Sequence, residues 1–148
     1  VPDLFAFMST RHTVPEWLNL EVQQAEYATP VIIQAAKRAV EGKRVCGVAV
    51  HTMHLFCDIL ADEAANLVLK TMALGGLYLG GGLSPRLLPF LQPERFMRIF
   101  TRDYSSAMLA RVPVHIILNR KTALLGAGEY GLRTLVQPQT SDAATSHV

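Results

Sequence analysis

The residues of this chain best placed to do chemistry are glycines. Residues 75 to 86 read Gly75-Gly76-Leu77-Tyr78-Leu79-Gly80-Gly81-Gly82-Leu83-Ser84-Pro85-Arg86. Leu77-Tyr78-Leu79 is a short apolar run with the look of a buried strand, and the three glycines that end it leave no Cβ atoms to keep a ligand off the backbone. Ser84 before Pro85 predicts a capped helix start, whose free N–H groups and positive dipole end would face the same edge. In open α/β sheets that edge is where ligands bind. The spacing fits neither G-x-x-x-x-G-K-[ST] nor G-x-G-x-x-G. A nucleotide or phosphate site and a plain strand-to-helix turn therefore stand as equal readings of Gly80, Gly81 and Gly82.

Other groups offer less. His51, His54 and Asp58 share one helical face and would present two imidazoles and a carboxylate to a metal, but no further ligand accompanies them, and solvated or packed helix positions are preferred. His115, between Val114 and Ile116, reads as a satisfied strand histidine rather than a ligand or base. Cys57 lies in an apolar helical stretch and reads as inert packing. Glu63 and Asn66, three apart, are expected to hydrogen-bond locally rather than face a cleft. Arg95, Arg98 and Arg102 form a basic helical face, read as solvated in preference to a phosphate or acidic-partner site.

The elements that must position these residues follow from periodicity and punctuation. Residues 1–28 show no sustained period and are taken as an irregular lead-in, with a short helix around Pro15 to Val22. Thr29-Pro30 predicts a helix start and Gly42 its end, with Ile32, Ile33, Ala36 and Val40 on the inner face. A long helix is expected from about Val45 to Ala73, burying Met53, Phe56, Leu60, Ala64, Leu67 and Thr71 and stopped by Gly75-Gly76. A helix after Ser84 would turn Leu87 and Leu88 inward. Short helices are expected at Pro93 to Phe100 and Ser105 to Ala110, and a strand around Val112 to Leu118. Thr122 to Val136 reads as a closing helix whose Gly126, Gly128 and Gly131 allow close packing against the sheet. The tail from Gln137 to Val148 is polar and is expected to be mobile. Strands followed by helices indicate an α/β class.

Composition narrows the function classes. With 148 residues, 50% of them hydrophobic and 18% charged, the chain can bury a sizeable core as one domain or part of one, yet carries little charge to spread over a wet surface. Lys and Arg number 14 against 12 Asp and Glu, and they are scattered, which argues against a dedicated nucleic-acid binder. The most apolar stretch, Leu74 to Leu91, is broken by five Gly, two Pro and Arg86, so no membrane span is expected. On one long helix Cys46 and Cys57 would lie roughly 16 Å apart, beyond the reach of a disulfide, and two free thiols fit a reducing cytoplasm. The chain begins at Val1, which leads one to expect a longer gene product.

Ala61-Asp62-Glu63-Ala64-Ala65-Asn66-Leu67-Val68-Leu69-Lys70, the glycine segment, Val112 to Asn119, and Ala123-Leu124-Leu125-Gly126-Ala127 together resemble the C-terminal part of bacterial glucokinases, in order and with similar spacing from about Thr29 to Leu135. The chain departs from that pattern at Arg102-Asp103-Tyr104 and Arg120-Lys121-Thr122. The resemblance implies part of the large C-terminal lobe of a ribonuclease H-like, actin-like sugar kinase. It also implies ATP-dependent, Mg²⁺-assisted phosphorylation of the 6-hydroxyl of glucose between two lobes, in a cytoplasmic protein open to homodimer formation. Gly80, Gly81 and Gly82 would fall on the family's adenosine-side motif. Its phosphate loop, catalytic Asp and sugar-binding residues would precede Val1, so no catalytic residue is carried over. Two alternatives stay open: a non-enzymatic interaction or regulatory module, and a kinase for another sugar.

Overall fold

The computed structural model describes residues 1–102 and 105–136. In order, its elements are α1 (Pro2–Ser9), α2 (Glu16–Gln24), α3 (Ala28–Val40), α4 (Gly47–Thr71), β1 (Leu77–Leu79), α5 (Ser84–Leu87), α6 (Pro93–Phe100), α7 (Ser106–Leu109), β2 (Val114–Ile116) and α8 (Thr122–Val136). This is a helix-rich α/β arrangement with one small parallel sheet.

The opening segment is not an irregular lead-in. α1 and α2 are short and weakly periodic, but each buries an anchor, Phe5 and Leu18, and α1 packs on both α3 and α4. Tertiary burial outweighs a weak local signal here. Arg44 lies over the ring of Trp17, 3.8 Å from its centroid, and so ties α2 to the connection between α3 and α4. α3 starts two residues before the expected N1 proline, with Tyr27 as N-cap and Pro30 third in the helix. A proline is tolerated there because first-turn N–H groups have no intrahelical partner. Past its end Gly42 takes φ +70°, and the N–H of Lys43 returns to the Arg38 carbonyl at 2.9 Å.

α4 is the frame. Its first half, through Val48, Ala49, Met53 and Cys57, closes a core with Phe5, Leu18, Ile32, Ile33 and Phe90. Its second half, through Ala61, Ala64, Ala65 and Val68, closes another with Phe96, Phe100, Leu109 and Val112. The buried stripe differs from the one expected: Leu67 and Thr71 are exposed, and alanines take the inner positions. α4 ends at Met72, in the left-handed region at φ 52°, three residues before Gly75.

β1 and β2 run parallel in the register Leu77↔Val114, Tyr78↔His115 and Leu79↔Ile116. Leu77, Leu79 and Val114 pack on the second core. Tyr78 and His115 are exposed and stack on each other with centroids 5.0 Å apart. α8 forms over the expected residues but does not close the fold. None of its described side chains is buried, and a Cβ built on Gly126, Gly128 or Gly131 would meet nothing within 4 Å. The expected packing of these glycines against the sheet is therefore not found. The expected mobile tail, residues 137–148, lies outside the described residues.

Candidate functional site

The glycine turn after β1 is built by three different physical devices. At Gly80 an added Cβ would come 3.3 Å from Ile117 Cδ1, so the missing side chain permits close approach to the strand end. Gly81 has φ +98°, which L side chains rarely adopt. Gly82 carries no such constraint and faces open space. Ser84 does not cap a helix as expected. Leu83 is the N-cap, and the nearly buried Ser84 hydroxyl donates to the Gly80 carbonyl at 2.7 Å, pinning the turn shut. α5 is one turn long, too short to supply the helix-dipole site that Ser84-Pro85 led one to expect. It buries Leu87 and leaves Leu88 exposed.

Of the three turn glycines, Gly82 reaches a pocket of about 460 Å³. Pro30 and Ile33 of α3 and Pro85 and Pro89 of the α5 region give it apolar walls. Lys37, Arg86 and Arg120 supply three cations and Gln34 an amide, with no carboxylate in the lining among the described residues. Arg86 and Arg120 are exposed, and Lys37 reaches Glu41 only at 3.8 Å. Glu41 bonds Lys43 more closely, at 2.8 Å, and that bond first, with the Lys43 and Lys37 charges, holds its pKa below the ordinary value. A concave surface with apolar faces and unbalanced positive charge suits an amphipathic anion. It offers no oxygen donor set for Mg²⁺, and among the described residues no group of three or more His, Cys, Asp or Glu side chains is disposed to hold a metal.

Lys37 and Arg120 were missed in the sequence because they reach the turn only through the tertiary fold. One signal was present: Pro30, Ile33, Gln34 and Lys37 recur at helical spacing, an apolar stripe that turns polar toward its end.

The other candidates fall elsewhere. Asp58, proposed beside His51 and His54, accepts two hydrogen bonds from Arg95, at 2.7 and 2.5 Å. Arg102, just past the end of α6, donates to Asp62, one turn along α4 from Asp58, so the basic face is not simply solvated: Arg95 ties α6, and Arg102 the segment after it, to α4. Glu63 and Asn66 are exposed and make no hydrogen bond to one another. Both cysteines are free and buried. Burial raises the Cys46 thiol, and burial with the Asp58 charge pushes Cys57 up to about 12, the opposite of an activated nucleophile. No helix among the described residues is long and apolar enough to cross a membrane.

The glycine turn, its pinning serine and the cationic pocket sit within a segment that matches the family model described as Glucokinase, over residues 3–134. The chain belongs to the glucokinase family. Its relatives include the glucokinases of Nostoc sp. strain PCC 7120, 38% identical over 71% of this chain, and of Synechocystis sp., 34% identical over 74%. That of Colwellia psychrerythraea is 31% identical over 76%. The chain spans about a third of the length of these glucokinases, from 30% to 34%. The family match opens at residue 3, so α1 and α2 belong to it, well before the start that the sequence motifs marked at Thr29. No solved structure gives a significant match.

Proposed function

We propose that this segment is the adenosine-side wall of the ATP cleft in a glucokinase, within the C-terminal lobe of an actin-like sugar kinase. The complete protein then transfers the γ-phosphoryl group of ATP to the 6-hydroxyl of glucose in the cytoplasm. One observation carries the reading: the glycine turn delivers bare backbone at Gly82 to the rim of a pocket that pairs apolar walls with Lys37, Arg86 and Arg120. A nucleotide has an apolar planar base and an anionic tail, and this lining meets both. Phosphoryl transfer depends mainly on positioning and charge stabilisation, to which a fixed nucleotide wall contributes directly. Mg²⁺, which supports the transfer when bound to the phosphates, takes no ligand from this pocket, and the general base and sugar contacts are assigned to no residue of this chain.

The test is Gly82→Val in the longest product of the gene that carries this chain. Gly82 is free of the positive φ that would confound a change at Gly81, so the variant keeps its fold and places a branched side chain at the rim. The expected outcome is a rise of about tenfold or more in KM for ATP, with glucose affinity unchanged and an unaltered melting transition. An unchanged KM in a folded variant means that the turn is only structural. A substrate panel on the same product tests the acceptor, and transfer to another sugar in preference to glucose would overturn that part of the reading.

A further inference from the structure

Where the end of α1 meets the first half of α4, side chains gather that neither core nor the nucleotide pocket uses. The ring of His12 lies 4.5 Å from that of His51, centroid to centroid, tilted by 34°. Its position is fixed by its backbone N–H, which donates to the Met8 carbonyl at 2.9 Å. His54 follows one turn along α4, and Arg11 and Arg95 complete the rim of a concavity of about 340 Å³. Phe7, Met8 and Leu55 line it with apolar surface. Among the described residues the one carboxylate in the lining, Asp58, has both oxygens on Arg95. None of the three imidazoles makes a hydrogen bond among the described residues.

We propose that this concavity binds a phosphomonoester, with His12 and His51 gripping the phosphoryl group and the organic part resting on Phe7, Met8 and Leu55. The inference does not rest on the nucleotide reading, since the two pockets share no lining residue.

The charge balance points to an anion. Asp58 cancels Arg95, which leaves Arg11 on the α1 side uncompensated, and each imidazole that gains a proton adds to it. A phosphoryl group that bridges the N–H edges of the two rings offers acceptors to both and offsets the repulsion between them when they carry charge. Arg11 is held over the Phe7 ring, 4.4 Å from its centroid, which presents its planar donor fork beside the histidines. His54 plays a different part: burial first, then the Arg95 charge, holds its pKa below the ordinary value, so near neutrality it is an uncharged donor and acceptor. The groups that face the histidine pair are thus Arg11 from the turn after α1, His54 and Asp58 from α4, and Arg95 from α6. An anion that prefers imidazolium to imidazole binds more tightly as pH falls.

The chain supplies its own control, because His115 lies on the sheet, outside the lining. In a side-chain histidine NMR titration of the whole chain at pH 6.0, phenyl phosphate is expected to shift His12 and His51 along one saturating curve. His115 should stay in place. Sulfate, a dianion across the range, is expected to bind more weakly than phenyl phosphate and to lose about tenfold in affinity from pH 6.0 to pH 8.0, the size of one charge-assisted hydrogen bond. His51→Gln, at an exposed position, should abolish the His12 response while leaving the far-UV circular dichroism unchanged. Arg11→Gln should weaken phenyl phosphate about tenfold. Shifts of all five histidines in proportion to added salt, or saturation that survives His51→Gln, would overturn the site. Sulfate binding as tightly as phenyl phosphate would overturn the phosphomonoester assignment.

Discussion

At the scale of single residues, neighbouring glycines in the same turn have unlike roles and should respond differently to substitution. Gly81, at φ +98° with nothing within 4 Å of a built Cβ, is constrained by backbone conformation alone. Gly81→Ala is therefore expected to cost about 1–2 kcal/mol of stability, read as a lower urea midpoint, whereas Gly82→Ala should be nearly neutral because both its φ and its surroundings accept a methyl group. Cys57 gives a prediction in pH. Burial, reinforced by Asp58, pushes its thiol from 9.0 to about 12. An unfolded thiol loses its proton near the lower value while the folded one keeps it, so the stability that Cys57 lends is intact below pH 9 and lost as pH rises toward 12. Denaturant midpoints of the wild-type chain should fall more steeply over that window than those of Cys57→Ala. Equal slopes would mean that the thiol is more accessible than its burial indicates.

At the scale of elements, the contact between α4 and α6 separates packing from charge. Phe100 is fully buried against Ala61, Ala64 and Val68, whereas Arg95 and Asp58 are both partly exposed. Phe100→Ala should cost about 3–5 kcal/mol, and a double-mutant cycle on Asp58→Asn and Arg95→Gln should return a coupling of about 0.5–1 kcal/mol that shrinks with salt. Thermal melts of the four proteins at low and high salt check both, and a salt-insensitive coupling would contradict the second. The same contact shows what a sequence can and cannot disclose. Pro93 announced the start of α6 and the long apolar period announced α4, because both signals are local. The inner face of α4 was misjudged because Leu67 looks a better core residue than Ala61 or Ala65, while the close approach of α6 favours the smaller side chains. Of the candidate site, the glycines were legible through their conformational freedom. Two of the three cations were not, since Lys37 and Arg120 meet at the turn only after α3 and the segment past β2 have folded around it.

At the scale of the whole molecule, the parts are unequally integrated. α8 exposes Leu124, Leu125, Tyr130, Leu132 and Leu135, and a 15-residue helix with three glycines is marginal without a partner. Ending the chain after Lys121 should leave the melting temperature of the remainder unchanged within about a degree, because neither core loses a residue; a clear drop would show that α8 docks. The two cores, in contrast, share α4 along its whole length, with Leu60 and Leu91 packed against both. The single tryptophan sits at one end of this arrangement, under Arg44, beside the first core and far along the chain from the second. Trp17 is consequently a one-sided optical probe. If α4 transmits stress as a rigid rod, its emission must change at the same denaturant concentration as the far-UV signal of the entire chain, and a damaging change at Phe100 must move a fluorescence transition that originates on the other side of the molecule.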